Sequence, residues 1–226
     1  MTYDILCFSH LRWGGVFQRP QHLLSRLARA HRVFLIEEPE HEDTATPYLE
    51  AVPSGTDNVF VFRPRMRASF PFYVDGQIGV ISALTQELLE HARIRRYVAW
   101  LYTPMALPVV ASCTPVARVF DCMDELSAFR FAPPELRARD RATMRWADVV
   151  FTGGRSLYEA RRHQHPNLYC FPSSVDEAHF AAARADTTRE SAAQRALPRP
   201  RLGYFGVIDE RMDYDILAAL AQLHRE

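Results

Sequence analysis

Phe8–Ala28 reads FSHLRWGGVFQRPQHLLSRLA. It opens on the end of a β-type run, Tyr3 to Ser9. A polar segment, His10 to Arg12, interrupts that run, and a glycine pair follows at Gly14 and Gly15. After QRP the apolar residues return at helical spacing, with Leu23, Leu24, Leu27 and Ala28 on one face, which predicts a helix over 21–30. Pro20 suits the first turn, where its missing N–H is not needed. A strand, a glycine-bearing turn and a helix form the opening unit of an α/β fold.

The same alternation continues along the chain. RVFLIEEP (32–39), NVFVFRPR (58–65), YVAWLYTP (97–104), RVFDCMDE (118–125), DVVFTGG (148–154) and NLYCFPSSVD (167–176) each read as a strand with its exit loop. Helical patterns precede or follow most of them: a helix around Leu84, Leu88, Leu89 and Ala92, one over 134–147 and one over 155–165. The segment between the second and third strands is rich in Glu, Thr and Pro and reads as a polar loop. The strand cores are continuous Val, Phe, Leu and Ile, as in a parallel sheet covered on both faces. The expected fold is therefore α/β, a doubly wound Rossmann-like parallel sheet, which binds ligands beyond the carboxyl ends of its strands.

From 181 to 196 the composition shifts to Ala, Arg, Thr and Glu, a linker or weak helix. A fresh strand over 202–207 and a helix over 213–223 then suggest the start of a second α/β domain. One strand and one helix cannot bury their own faces, so a truncated second domain is expected.

Composition narrows the chemistry. Of 226 residues, 48% are hydrophobic and the formal net charge is zero, which argues against a disordered chain and against a uniformly basic nucleic-acid binder. Every one of the 27 basic residues is Arg, so chemistries that need a lysine amine are excluded. Cys7, Cys113, Cys122 and Cys170 form no C-x-x-C pair and read as buried, reduced thiols of a cytosolic protein. Neither a signal peptide nor an apolar stretch approaching the ~18–20 residues of a membrane span is evident.

The residues just after each strand are the candidates. After the first, His10, Arg12, Trp13, Gly14, Gly15 and Arg19 suit either an anion site at a helix N-terminus or a tight turn. The spacing is not G-x-G-x-x-G, so a dinucleotide dehydrogenase is not supported. Tyr102 and Thr103 precede a Pro-started helix. Asp121, Asp124 and Glu125 can bind sugar hydroxyls, act as a base, or simply favour a helix N-terminus. Gly153, Gly154 and Arg155 repeat the device of the first strand, and Ser173 and Ser174 precede Asp176, where capping is the bland alternative.

Taken together and in order, FSHLRW…VFQRPQHLLSRLA, DCMDELSAF, FTGGRSLYEA, FPSSVD and GYFGVIDERMD resemble the N-terminal part of a GT-B glycosyltransferase. The resemblance covers nearly the whole chain and is closest to the teichuronic-acid group of cell-surface polysaccharide synthesis. It implies an acceptor domain over 1–180, a linker over 181–198, and over 199–226 the first strand and helix of a nucleotide-sugar domain. On that reading Gly14 and Gly15 allow close approach to the donor diphosphate, while His10, Arg12 and Trp13 line the cleft. Asp121 or Asp124 positions the acceptor, with His10 or Asp124 as base if the enzyme inverts. Gly206 and Arg211 stand where the donor domain meets the diphosphate, and Val207 replaces one of the family's two cations. The family's E-x7-E motif would lie beyond Glu226, so the fragment is expected to be inactive alone.

The implied partners are a nucleotide-sugar as substrate and a glycan or lipid-linked acceptor, with no nucleic acid, no separate cofactor and no metal. HARIRRYVAW allows a peripheral contact with the inner membrane face. Two alternatives remain at this stage: a GT-B nucleotide-sugar epimerase, and a non-catalytic carbohydrate-binding module.

Overall fold

The computed structural model describes residues 3–67, 73–185, 187–201, 203–204, 206–209 and 212–223. The chain divides into two compact units, Met1–Ser174 and Val175–Glu226.

The first unit holds a nine-stranded sheet. Its strands are β1 (Asp4–Ser9), β2 (Val33–Glu37), β3 (Glu40–His41), β4 (Tyr48–Val52), β5 (Val59–Met66), β6 (Tyr97–Leu101), β7 (Ala117–Cys122), β8 (Val149–Thr152) and β9 (Leu168–Cys170). The order is β3-β5-β2-β1-β6-β7-β8-β9, with β4 added on β5. Every pairing is parallel except that of β4 with β5. The helices are α1 (Arg19–Leu27), α2 (Asp75–His91), α3 (Leu107–Val110), α4 (Leu136–Trp146) and α5 (Arg155–Arg161). The doubly wound fold expected from the sequence is the fold observed.

Alternate residues of the strands face opposite layers, as the two-residue period of a strand requires. Leu6, Phe8, Phe34, Ile36, Leu101, Phe120 and Val150 pack in one core with Ile81 and Leu89 of α2, Val109 and Val110 of α3, and Leu136 and Met144 of α4. Ile5, Cys7, Val33, Leu35, Val59 and Val61 pack in the other with Leu24 of α1, Ala28 and Trp13. All four cysteines are free; Cys7 and Cys122 are buried, whereas Cys113 and Cys170 are only half-buried.

The segment that reads as a polar loop contains two short strands, β3 and β4. They lack an apolar alternation because ion pairs help to hold them. Arg65 of β5 reaches Glu40 of β3 at 2.9 Å and Glu50 of β4 at 2.7 Å. β3 continues β2 along the same side of β5. Ile36 pairs with Phe62 and Glu40 with Arg65, so four steps on one strand match three on the other. The extra residue makes a bulge at Glu37-Glu38-Pro39, a device that re-aims side chains. α1 begins two residues earlier than the spacing suggests, and α5 ends at Arg161 rather than running on to 165.

The second unit contains α6 (Glu177–Ala181), α7 (Ala192–Arg195) and α8 (Tyr214–Leu223). Ile216, Leu217, Leu220 and Leu223 of α8 are all exposed. Of the expected strand over 202–207, the described residues Gly203, Tyr204, Gly206 and Val207 are not in a strand; Leu202 and Phe205 lie outside the described residues. Among the described residues no helix is long and apolar enough to cross a membrane.

The chain winds outward from β1 through β2 to β5, then returns to lay β6 on the other side of β1. The connections therefore diverge beyond the carboxyl ends of β1 and β6. That divergence is where open α/β sheets form their binding crevice.

Candidate functional site at the switch point

The segment leaving β1 is tied down from three sides. Ser9 Oγ accepts the Leu11 N–H at 2.9 Å, starting the turn. Glu37, at the end of β2, has a fully buried side chain. It accepts the Trp13 N–H at 2.7 Å, Arg12 Nη1 at 3.2 Å and Arg63 Nε at 2.8 Å. Arg12 Nη1 also donates to the Glu38 carbonyl at 2.6 Å, and the Trp13 indole donates to the Ser54 carbonyl at 2.9 Å. Gln21, buried in the first turn of α1, donates to the Trp13 carbonyl at 3.0 Å and accepts the Gln18 N–H at 3.1 Å. A buried carboxylate that satisfies a backbone N–H and two guanidiniums is the arrangement in which buried charge is tolerable.

Glu38 is also buried and sits beside Arg12. Burial pushes its carboxyl up to about 8, with Arg12 pulling the other way, so it keeps its proton at neutral pH. Its neighbour Tyr73, fully buried, donates to the Ile36 and Glu37 carbonyls at 3.1 and 2.9 Å.

Arg19 crosses from the start of α1 to the end of β7. Its Nε donates to both Asp121 oxygens at 2.9 and 3.1 Å, and Nη1 donates to the Phe171 carbonyl at 2.6 Å. Both side chains are almost wholly buried, at 6% and 0% exposure. Burial pushes the Asp121 carboxyl up, and Arg19 holds it back. Tyr102, also buried, and Trp100 lie close enough to favour the charged Asp121. Neither Tyr102 Oη nor Trp100 Nε1 makes a hydrogen bond of good geometry. The segment after β6 is fixed by Thr103 Oγ1, which accepts the Met105 N–H at 3.3 Å, and by Arg139 of α4, which donates to the Met105 carbonyl at 2.9 Å.

His10 is half-buried at the end of β1, with its Nδ1 enclosed and without a hydrogen-bond partner. Burial lowers its pKa to about 4, against a smaller upward pull from the Tyr102 backbone, so the ring is neutral at physiological pH. Asp124 is half-buried beyond β7. Glu125 accepts from Ser127 at 2.7 Å and from Arg161 at 2.6 Å, and Arg161 also holds Asp140 at 2.7 Å. Arg155, Ser173 and Ser174 are exposed, with the Ser173 N–H on the Gly153 carbonyl at 3.1 Å.

The four glycines of the two pairs differ. A Cβ on Gly153 would sit 2.5 Å from the Met123 carbonyl oxygen and 2.8 Å from its Cα, whereas Gly154 is open. A Cβ on Gly15 would press on the Arg12 carbonyl at 3.1 Å, and Gly14 meets nothing within 4 Å. Gly153→Ala is therefore expected to lower stability by about 1–3 kcal/mol, because backbone must yield. Gly14→Ala is expected to be neutral or slightly stabilising. Urea unfolding of both variants checks this contrast; equal effects would refute it.

The structure thus gathers His10, Arg12, Trp13, Gly14, Gly15, Arg19, Tyr102 and Asp121 around the ends of β1, β6 and β7. Gly153, Gly154, Arg155, Ser173 and Ser174 follow β8 and β9. Gly206 lies in the second unit, where a Cβ would meet the Tyr204 ring. Arg211 lies outside the described residues. Glu37, Glu38 and Gln21 were missed as site residues. The signal for the first two is EEP itself, adjacent carboxylates closing an otherwise apolar strand. Among the described residues no group of three His, Cys, Asp or Glu side chains could hold a metal ion.

No family model and no curated protein matches the chain. Solved structures do. Sucrose-phosphate synthase from Thermosynechococcus elongatus is 12% identical with a TM-score of 0.64, over 98% of this chain and 60% of that one. The E. coli trehalose-6-phosphate protein bound with UDP-2-fluoro glucose is 13% identical with a TM-score of 0.55, over 85% and 53%. An alpha,alpha-trehalose-phosphate synthase (UDP-forming) from Burkholderia xenovorans, in complex with glucose-6-phosphate, is 13% identical with a TM-score of 0.51, over 81% and 53%. The chain spans between 53% and 60% of the length of these proteins. What it shares with them is the fold, the Rossmann-like α/β architecture of GT-B glycosyltransferases.

Proposed function

We propose that this chain is the acceptor-binding half of a GT-B glycosyltransferase that moves a sugar from a nucleoside-diphosphate sugar to a glycan or lipid-linked acceptor in cell-surface polysaccharide synthesis. The observation that supports the reading is the switch in strand order between β1 and β6, beside which buried Glu37 ties down the loop that leaves β1. The likeness to folds solved with UDP-2-fluoro glucose and with glucose-6-phosphate supports it.

In this reading the leaving diphosphate develops charge that must be met by fixed dipoles and guanidiniums. Arg12, half-exposed and already oriented by Glu37 and the Glu38 carbonyl, is the cation of this chain best placed for that task. Asp124, half-buried beyond β7, orients the acceptor, and His10, whose Nδ1 is enclosed, helps to shape the loop. Asp121 is taken up by Arg19 and acts by shaping the crevice. The donor's nucleotide is held by a second Rossmann-like domain, and the protein works on the cytoplasmic side of the membrane.

Thermal unfolding with a panel of nucleotide-sugars tests this. The 226-residue chain is expected to show no sugar transfer above a blank, and no rise in melting temperature beyond that given by inorganic pyrophosphate alone. The full-length gene product is expected to show both, since ligand that binds only the native state stabilises it by mass action. Sustained transfer by the chain alone, or a strong shift with it alone, would overturn the acceptor-half assignment. Donor consumption without acceptor would indicate the epimerase instead.

A further inference from the structure

A cavity of about 390 Å³ opens at the other end of the sheet, beside the starts of β1, β2 and β6. Asp4 and Ser9 bound β1, so this cavity and the switch crevice lie roughly 17 Å apart along the strand. Four arginines line it: Arg32, Arg93, Arg95 and Arg96. Its single acidic lining residue is Asp4.

That carboxylate is already paired. Arg32 Nε donates to Asp4 Oδ1 at 2.9 Å and Nη2 to Oδ2 at 2.6 Å, a bidentate pair that cancels one cation with one anion. Arg93, Arg95 and Arg96 are exposed, and no carboxylate of the described residues lies within ion-pair distance of them.

The ordinary explanation for cations here is the C-terminus of α2, whose last carbonyls attract positive charge. Direct capping by these side chains is not what is seen. The Leu88, Leu89 and Glu90 carbonyls accept the N–H groups of Ala92, Ile94 and Arg93. The Glu87 carbonyl is met by the His91 ring, and the Ala92 carbonyl by Arg32 Nη1 at 3.1 Å. None of these groups is capped by the Arg93, Arg95 or Arg96 side chain. Arg93 moreover holds a left-handed backbone, with φ at 53°, where glycine or asparagine is the usual choice. Three exposed arginines thus line one cavity with no ion-pair partner among the described residues.

We infer that this cavity is an anion site, distinct from the switch crevice, that takes a phosphoryl group through Arg93, Arg95 and Arg96. Guanidiniums donate paired hydrogen bonds in the geometry that phosphate oxygens accept. The phosphoryl group comes either from a free phosphorylated ligand or from the headgroup of an anionic lipid. The inference does not depend on the proposed transferase reading, because none of these residues touches the switch crevice.

The test uses the 226-residue chain with two probes, inorganic pyrophosphate followed by calorimetry, and vesicles of phosphatidylcholine with or without phosphatidylglycerol followed by co-sedimentation. The variant replaces Arg93, Arg95 and Arg96 with Gln together; Arg96→Gln alone and the unfolding midpoint guard against a misfolded triple variant. At low ionic strength the chain is expected to bind pyrophosphate, and the triple variant to bind it about tenfold or more weakly. Pyrophosphate binding without vesicle binding identifies a free phosphorylated ligand. Vesicle binding that requires phosphatidylglycerol and is lost in the triple variant identifies the lipid headgroup. Failure of both probes to bind overturns the inference, as does binding that the triple variant retains in full. Binding lost in Arg12→Gln but kept in the triple variant overturns it too, by placing the anion in the switch crevice.

Discussion

Arg19→Ala is expected to remove about 3–5 kcal/mol of stability, the range seen when one partner of a buried ion pair is deleted. The effect is large because Arg19 serves two acceptors. Without it the Asp121 carboxylate has no cation, and the Phe171 carbonyl loses the donor at 2.6 Å. A domain of ordinary stability has only about 5–15 kcal/mol in total, so the variant will be marginal. The loss also carries a pH signature. Burial already raises the Asp121 carboxyl, and removing Arg19 raises it further. A carboxyl whose folded pKa lies above its unfolded value contributes most at low pH and loses that contribution as pH rises through the folded value. The deficit of Arg19→Ala is therefore expected to shrink as pH falls and to be largest near neutrality. Arg19→Met combined with Asp121→Leu should recover much of the loss, since replacing both members of a buried pair by apolar groups is often neutral. Urea unfolding of the single and double variants decides it. A single-variant loss under ~1 kcal/mol, within the range of exposed ion pairs, would mean that the pair does not brace the crevice.

Glu37→Ala is the second change with a large expected effect. It orphans the buried Trp13 N–H and removes one acceptor each from Arg12 and Arg63. Arg63 retains Glu40 at 2.9 Å and Arg12 retains the Glu38 carbonyl, so the cost falls mainly on the loop. An unsatisfied buried donor and broken charged hydrogen bonds together predict about 2–4 kcal/mol. Hydrogen exchange distinguishes loop loosening from general unfolding. The Trp13 amide should exchange at least about tenfold faster, one factor of ten for each ~1.4 kcal/mol. Amides in the centre of β1 should change only as far as the global stability requires. Glu37→Gln, which keeps an acceptor for the Trp13 N–H, should fall between the two. Unchanged exchange at Trp13 in Glu37→Ala would show that Glu37 does not hold the loop.

Seven strands were legible because each holds a short apolar run bounded by turn residues. β3 and β4 were not, because their sequences are polar and their ion pairs to Arg65 leave no periodic trace. The doubly wound parallel fold followed from strand and helix alternation. The contacts among the residues at the strand ends did not. Arg19 and Asp121 stand 102 residues apart, and nothing local in QRP or FDC announces that they meet. The glycine pairs were read as equivalent, yet Gly153 is crowded by Met123 and Gly14 faces open space. Glu37 was hidden by its position, since a buried carboxylate inside VFLIE looks like the boundary of a strand. Only the three-dimensional neighbours, one backbone N–H and two guanidiniums, show why it is there.

The order in which the sheet is laid down has a kinetic consequence. Of the strands in this sheet β1 leaves the ribosome first, yet it ends in the middle of the sheet, with Asp4 beside Tyr97. During synthesis its Ile5–Phe8 run has β2 on one side and an open edge on the other until β6 arrives. Pairings that wait for distant sequence close slowly, because chain entropy must be overcome before the contact is made. In that interval the nascent chain presents an apolar strand edge, the kind of surface that aggregates or recruits chaperones. Refolding yield should therefore depend on protein concentration even where the native protein is stable.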